Sequence, residues 1–186
     1  MSLELVGQII GVFVTISAII SNQMEKRWQI MLGLAITNIL SVVNTFLVGT
    51  GISVTLLCFV AVCNSLVNAY KSKKGIANTS LEKIVFSVLY IVAWGIGFYL
   101  SYIGGKASWL ELLPLAATIF FILSMIFPKE RDIRICSLIN MLIYIVYHVI
   151  FGNIAVMAQI FSSVSVCIAL FRYREKKPKN AEDKDN

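Results

Sequence analysis

The stretch IVFSVLYIVAWGIGFYLSYIG, from Ile84 to Gly104, decides the fold of this chain. It contains no Asp, Glu, Lys or Arg, and its length lies within the range of about 17–25 residues that a helix needs to cross a bilayer. Three further apolar runs precede it and three follow it. Because a single crossing reverses the direction of the chain, this stretch determines how the two sets of three are oriented relative to each other.

The composition of the chain places it in lipid. Its 186 residues are 58% hydrophobic and 14% charged, with a mean hydropathy of +0.82, whereas soluble domains are about 45–50% apolar and about 25% charged. A soluble helical bundle with an unusually apolar core is the alternative. It is excluded because the charges form short clusters instead of recurring along every helix.

Seven apolar segments are long enough to span a membrane. The first has no basic region before it and no small-residue cleavage site after it, so we expect it to remain as a helix. Turns are predicted at Gly49 and Gly51, at Gly152 and Asn153, and at Pro128, and Thr79 with Glu82 has the spacing of a capping box. The predicted spans are Leu3–Asn22, Gln29–Val48, Ile52–Tyr70, Ile84–Gly104, Leu110–Phe127, Ile135–Phe151 and Ile154–Phe171.

The positions of lysine and arginine predict the orientation. Of the 16 basic residues, only Lys106 falls on one side under a seven-helix alternation, and all the others fall on the opposite side, which we call the basic side. Basic loops are retained in the cytoplasm. The N-terminus is therefore predicted outside the cell and the C-terminus in the cytoplasm. The charged tail from Arg172 to Asn186 is predicted to be disordered and able to touch anionic lipid.

The chain also contains a weak internal repeat. An offset of 102 residues pairs Asn38 with Asn140 and Ile52 with Ile154, and the span lengths and loop charges of the two halves agree. One linker helix between two three-helix units gives both units the same orientation, a layout of parallel repeats in which solute sites lie between the repeats near the midplane. The predicted units are a three-helix bundle at 3–70, a loop and linker helix at 71–109, a second bundle at 110–171, and the tail at 172–186.

Two short stretches resemble the YgjV-type bacterial inner membrane proteins. They are Glu111-Leu112-Leu113-Pro114, which opens the fifth span, and Phe46-Leu47-Val48-Gly49-Thr50, which closes the second. The resemblance covers nearly the whole chain before the tail. It implies a relationship to the SWEET, semiSWEET and PQ-loop transporters and hence an all-α membrane fold of seven transmembrane helices in a 3+1+3 arrangement.

The chain departs from the SWEET pattern at several positions. SWEET-like proteins tend to carry a proline in the first helix of each bundle, and here Pro114 has Gly7 as its repeat partner. The PQ dipeptide is absent. Paired asparagines on the third and seventh helices correspond here to Asn64 and Asn68 on the third, but to glutamine and serine on the seventh. These departures affect the sugar assignment.

Polar side chains inside the spans form the candidate substrate site. An amide that faced lipid would lack a hydrogen-bond partner, so these side chains are expected to point inward. They line a solute path, or alternatively they are interhelical hydrogen-bonding groups, while Gly7 and Gly11 allow close packing of the first helix. The candidates are Asn38, Ser41, Asn64, Asn68, Asn140, Tyr144, Gln159 and Ser162.

Several functional classes are disfavoured by what the spans lack. No ionisable carboxylate, lysine or arginine lies in a span interior, and such groups are typical of proton relays and ion coupling. No hydrolase or metalloprotease motif is present, so we expect no enzymatic activity and no catalytic residue. The four cysteines lie within apolar runs at no metal-binding spacing, so no metal, disulfide or other cofactor is expected.

The sequence therefore predicts a SWEET-like facilitator in the bacterial inner membrane that moves a small neutral polar solute, such as a sugar, by alternating access between two repeats, with the pair Asn38 and Asn140 as its central contact. The alternative is a membrane scaffold or interaction protein that transports nothing. The expected partners are the lipid bilayer, a small polar solute and a second copy of the chain, but no nucleic acid. A polar cavity that reaches the midplane distinguishes the two hypotheses.

Overall fold

The computed structural model describes residues 3–48, 52–104, 109–127, 129–150 and 155–174. Within these ranges the chain forms seven α-helices and one short 3-10 turn, Trp109–Glu111. The helices are α1 Leu3–Gln23, α2 Arg27–Val48, α3 Ile52–Lys74, α4 Ser80–Ile103, α5 Leu112–Ile126, α6 Glu130–Ile150 and α7 Ala155–Arg174.

Five of these helices, α1 to α4 and α6, are long and apolar enough to cross a membrane. The all-helical membrane fold predicted from composition is thus confirmed for them. Helix α5 has 15 residues, which corresponds to about 22 Å of rise, and the apolar part of α7 is the short segment Val156–Arg172. A full crossing by α5 and α7 stays a prediction.

On the basic side the helices continue past the predicted spans. Helix α3 ends at Lys74, α4 begins at Ser80 and α6 begins at Glu130. Lysine and glutamate are good helix formers, and their long side chains keep the charge in water while the helix enters the interface. Helix α7 ends at Arg174, and because residues 175–186 lie outside the described ranges, the disordered tail stays a prediction. The predicted turns at Gly49 and Gly51, at Gly152 and Asn153, and at Pro128 also lie outside these ranges.

The capping box at the start of α4 is confirmed. Thr79 accepts a hydrogen bond from the backbone N–H of Glu82, and the Glu82 carboxylate accepts one from the N–H of Thr79 at 2.8 Å. These two bonds satisfy amides that a helix start leaves free. The same carboxylate pairs with Lys71 at the end of α3, which connects the two helices across their loop.

The helices pack in a ring. Helix α2 packs between α1 and α3, which we call the α1–α3 group, and α6 packs between α5 and α7, the α5–α7 group. Helix α4 packs on the outside of α3. The two groups meet at two interfaces: α1 packs well against α7, whereas α3 and α4 touch α5 only sparingly. We call these the α1/α7 seam and the α3/α5 seam.

Glycines permit the closest helix approaches. A Cβ added at Gly97 of α4 would lie 2.2 Å from the Cα of Ser53 in α3, and one at Gly33 of α2 would lie 2.2 Å from the Oγ of Ser21 in α1. Gly7 and Gly11 also face α2, as the sequence predicts, and the Gly7 carbonyl accepts a hydrogen bond of 2.6 Å from Asn44 Nδ2. At Gly97 the backbone of Ser53 leaves no room for a side chain, whereas at Gly11 the nearest atom, Asn44 Nδ2, lies 3.2 Å from an added Cβ.

The starts of α2 and α6 and the ends of α3 and α5 meet in one apolar cluster. Its buried members are Ile30, Met31, Ala69, Met125 and Ile133. All of them lie near the predicted basic side, which places these four helix termini together. The cluster therefore supports alternating helix directions and closes the ring at that side.

Candidate functional site

Two buried asparagines of α3 form the centre of the candidate site. Asn64 and Asn68 are each 3% exposed, and because they are four residues apart they lie on one face of the helix. The Asn68 Nδ2 donates to the Asn64 carbonyl at 2.9 Å and to its Oδ1 at 2.7 Å. Asn64 in turn donates to the hydroxyl of the buried Tyr90 of α4, at 3.5 Å. An amide network thus occupies the middle of α3.

The network continues toward the basic side through the Oδ1 of Asn68. This oxygen accepts hydrogen bonds from Asn78 Nδ2, in the loop before α4, and from Arg27 Nη2 at 3.5 Å. We call Asn64, Asn68 and Asn78 the amide column. Its members hydrogen-bond to one another, which lowers the cost of placing amides in an apolar surrounding.

A narrow cleft runs beside the amide column, between α3, α4 and α5. Its volume is about 20 Å³, which is enough for one water molecule. One wall is polar and the other apolar, so the cleft offers hydrogen bonds next to a hydrophobic surface. It is lined by Asn64, Val67, Asn68, Asn78, Glu82, Lys83, Phe86, Ile122 and Ile126.

Two of the charges nearest the cleft are paired. Lys71, which is 9% exposed, binds the Glu82 carboxylate, and that carboxylate also caps α4. Two residues further along α3, the Lys73 ammonium lies 5.5 Å from the centre of the Trp28 ring, a cation–π contact. The mouth of the cleft therefore combines the Lys71–Glu82 ion pair with Lys83, which forms no ion pair among the described residues.

The structure places the predicted pair Asn38 and Asn140 differently from the amide column. Both are half-buried. Asn140 Nδ2 donates to the carbonyl of Ala117 in α5 at 2.7 Å, a bond within its own group. The side chain of Asn38, by contrast, makes no hydrogen bond to any residue in the described ranges. No hydrogen bond joins the two asparagines there. Their role in binding stays a prediction.

The remaining predicted residues lie on α2, α6 and α7. Ser41 is half-buried and donates to the Thr37 carbonyl at 2.9 Å. Tyr144 is half-buried and stacks on His148, with 5.9 Å between ring centres. On α7, Ser162 is 4% exposed and Gln159 is half-buried. Of the eight predicted residues, the structure brings Asn64 and Asn68 into direct contact with the cleft.

Sequence reasoning missed the groups that join the two helix groups. Gln23 Nε2 donates to the carbonyl and to the Oγ of Ser165, both at 2.9 Å, and Ser165 Oγ donates to the Ile19 carbonyl at 3.4 Å. Arg134 and Arg27 also cross between the groups, although the sequence analysis used them only to predict orientation. A pattern that could have identified them is an arginine at the start of a helix on the basic side, because its guanidinium holds several hydrogen-bond donors in a fixed geometry.

In the described ranges, no group of three His, Cys, Asp or Glu side chains is placed to hold a metal ion. The four cysteines, Cys58, Cys63, Cys136 and Cys167, are free thiols. The polar groups at the site are the amides, the Tyr90 hydroxyl, the Arg27 guanidinium and the charged side chains of Glu82 and Lys83.

Comparison with known proteins gives one match. The model of the Imp-YgjV family, described as bacterial inner membrane protein, matches residues 5–177. This range includes all the helices except the first two residues of α1. No curated protein and no solved structure matches the chain.

Proposed function

Since the chain belongs to the Imp-YgjV family of bacterial inner membrane proteins, we propose that it is a facilitator that carries a small neutral polar solute across that membrane. The solute, such as a sugar, binds beside the amide column and crosses by alternating access between two three-helix repeats. As in SWEET-like transporters, the repeats are the α1–α3 group and the α5–α7 group, and α4 is the linker.

The amide column is the observation that carries this proposal. Asn64 and Asn68 are buried near the middle of α3, and the cleft beside them lies at the sparsely packed α3/α5 seam. Amides donate to and accept from hydroxyl groups without requiring charge on either partner. Of the nearby charges, Lys71 and Glu82 are paired, and no Asp, Glu, Lys or Arg lies in a span interior, where such groups typically couple transport to an ion. A neutral polyhydroxyl solute matches these hydrogen-bonding groups, and the cleft, which has room for one water molecule, widens to admit it when the two groups move apart.

The packing of the helices supports the two-repeat arrangement. Helix α2 lies between α1 and α3, and α6 lies in the same way between α5 and α7. If the two groups are exchanged, α5 takes the place of α1 and α3 takes the place of α7. The contact between α1 and α7 then becomes the contact between α5 and α3, so the two seams are equivalent under the repeat. This pattern is the one expected for parallel repeats related by an axis along the membrane normal.

The alternative function is a scaffold or interaction protein, and one observation favours it. The hydrogen bond from Asn140 to the Ala117 carbonyl joins two helices of the same group, as expected for an amide that only holds helices together. In that case the amide column would have the same structural role in the α1–α3 group.

Uptake into liposomes tests the proposal. The purified chain is reconstituted and screened against sugars, polyols, amino acids and vitamins, and then Asn64→Ala is compared with Asn44→Ala. Asn44 is the matched control because its amide makes one interhelical bond, to Gly7, away from the cleft. We expect uptake per folded molecule to fall at least about tenfold in Asn64→Ala, as for loss of a solute hydrogen bond of about 1.4 kcal/mol, and to stay near wild type in the control.

Two results would contradict transport beside the amide column. One is that the folded protein takes up none of these solutes. The other is that both alanine variants lose uptake equally and only in proportion to lost folded protein, which is the outcome expected of a scaffold.

The predicted orientation belongs to the same proposal, with the N-terminus outside and the C-terminus in the cytoplasm. Alkaline phosphatase and a fluorescent protein are fused separately after Phe171. We expect fluorescence and no phosphatase activity. Phosphatase activity at that position would contradict the predicted orientation and would place the mouth of the cleft outside the cell.

A further inference from the structure

We propose that Arg27 and Arg134 form a reciprocal clasp that closes the basic side of the chain, and that its release opens the inner end of the amide column, at Asn64, to that side. The proposal rests on the proposed function in one respect, because it assumes that the α1–α3 group and the α5–α7 group separate there. Its evidence is the set of contacts that cross between the two groups.

Arg134 is the first half of the clasp. It lies in the first turns of α6 and is 3% exposed. Its Nη2 donates to the Met24 carbonyl at 2.6 Å, and its Nε points to the Asn22 carbonyl at 3.5 Å. These carbonyls stand at the end of α1, where a helix has no internal donors left and carries partial negative charge. A guanidinium supplies both the missing hydrogen-bond donors and a positive charge.

Arg27 is the second half. It is the first residue of α2, and its Nη2 donates to the Met125 carbonyl in the last turn of α5 at 2.9 Å. The same nitrogen points to the Oδ1 of Asn68 at 3.5 Å. Arg27 therefore contacts both the end of the opposite group and the top of the amide column.

The two contacts are reciprocal. In each case the second helix of one group supplies an arginine to the end of the first helix of the other group. The arginines are not repeat partners in the sequence, since the offset of 102 residues pairs Arg27 with Lys129 and Arg134 with Leu32. The reciprocity thus arises in the folded chain, and inherited residue positions do not account for it.

The clasp adjoins an apolar cluster, which we call the seal. The cluster of Ile30, Met31, Ala69, Met125 and Ile133 is drawn from α2, α3, α5 and α6, so it too crosses between the groups. Hydrogen bonds from Gln23, Arg27, Arg134 and Ser165 join the two groups on this side. The amide column begins at Asn78 on the basic side, and its inner end, Asn64, lies five residues deeper in α3 than Ala69 of the seal.

Arginine suits a contact that must break and re-form. At the membrane boundary its donors can exchange helix carbonyls for water or lipid phosphate, whereas a charge released at the bilayer centre would have no such partner. The seal and the clasp then open together when the two groups move apart. The strength of the clasp therefore sets how often the basic side opens.

A thiol placed beside the amide column tests the proposal without any solute. The four native cysteines are replaced by alanine and Ser65→Cys is introduced. Ser65 adjoins Asn64, is 0% exposed, and its Oγ makes no hydrogen bond to a described residue, so the thiol is a small change. A membrane-impermeant thiol reagent is then added to inside-out and, separately, to right-side-out vesicles.

We expect slow labelling of this thiol in the clasped chain. Arg134→Met and Arg27→Met should each raise the labelling rate from the basic side at least about tenfold, as for loss of one charge-assisted hydrogen bond, and Arg134→Lys should lie between. The matched controls are Arg131→Met and Lys26→Met, whose side chains are exposed on the same helix start or next to it. Their labelling should match the clasped chain.

A cross-link separates opening from unfolding. Gln23→Cys and Ser165→Cys, joined by a short bifunctional thiol reagent before Ser65→Cys is probed, should restore protection in the Arg134→Met chain. Labelling that stays slow in both methionine variants, or rises equally from both faces, would overturn the clasp. Since no solute is used, failure of the uptake experiment leaves this result standing, and the reverse also holds.

Discussion

The two seams between the helix groups differ in how they are closed. At the α1/α7 seam the helices pack closely, and Gln23 and Ser165 are joined by two bonds of 2.9 Å. At the α3/α5 seam the helices touch sparingly. Arg27 reaches the end of α5 there, a cleft remains, and the buried amides lie beside it. Close packing and a polar site thus occur at opposite seams.

This difference shows what a buried amide implies. Where helices pack closely, a polar side chain finds its partner on the facing helix and serves as a contact between helices. Where packing is sparse, Asn64 and Asn68 find partners on their own helix and on α4, and their remaining capacity faces the cleft. The same residue type is therefore a contact at one seam and a candidate binding group at the other.

The largest expected effect comes from a substitution that displaces α4, which borders the α3/α5 seam. Gly97→Ala places a Cβ 2.2 Å from the Cα of Ser53 and 2.8 Å from its N, so α4 must move away from α3. We expect a loss of about 1–3 kcal/mol in unfolding free energy, the usual cost of overpacking, measured by unfolding in mixed micelles.

The matched control for this change is on the same helix. A Cβ at Gly95 would meet nothing within 4 Å, so Gly95→Ala should be neutral or slightly stabilising. Equal stability of the two alanine variants would mean that α4 does not depend on this contact and that the α3/α5 seam is less defined than described.

A smaller effect compares the seams directly by double-mutant cycles. Gln23→Ala with Ser165→Ala should give a coupling energy of about 0.6 kcal/mol or more, typical of a hydrogen bond between membrane helices. Arg27→Met with Asn68→Ala should give less, because the Nη2 to Oδ1 distance is 3.5 Å against 2.9 Å for the first pair. The opposite order would place the stronger polar contact at the sparsely packed seam.

The smallest effects concern the pair Asn38 and Asn140. Asn140→Ala removes the bond to Ala117 and should cost about 0.6 kcal/mol in the same unfolding assay. Asn38→Ala removes no hydrogen bond to a described residue and should change stability by less than that. If Asn38→Ala nevertheless abolishes uptake by fully folded protein, the solute path extends from the amide column to α2, and the site is not confined to the α3/α5 seam.

Much of the fold followed from composition and periodicity alone. The membrane as solvent, the helices and their order, the capping box at Thr79 and Glu82, and the close approach at Gly7 and Gly11 are local or near-local properties. Apolar length, charge clustering and helix spacing report them directly, because a backbone in lipid can satisfy its own hydrogen bonds in a helix without help from distant residues.

The candidate site needed the tertiary structure. Sequence symmetry favoured Asn38 and Asn140, but it could not tell which amides have partners within their own group, since that depends on which helix faces which. Asn78, Tyr90 and Arg27 gave no local sign of joining Asn68 and Asn64.

Arg27 and Arg134 illustrate the same division. The sequence determined that they lie on the basic side, because charge is excluded from the hydrocarbon core. Only the tertiary structure decided that each arginine reaches the free carbonyls of a helix about 100 residues away in the chain. Such pairings are set by the packing of whole helices, and a helix end offers the same unsatisfied carbonyls to any donor whatever its sequence.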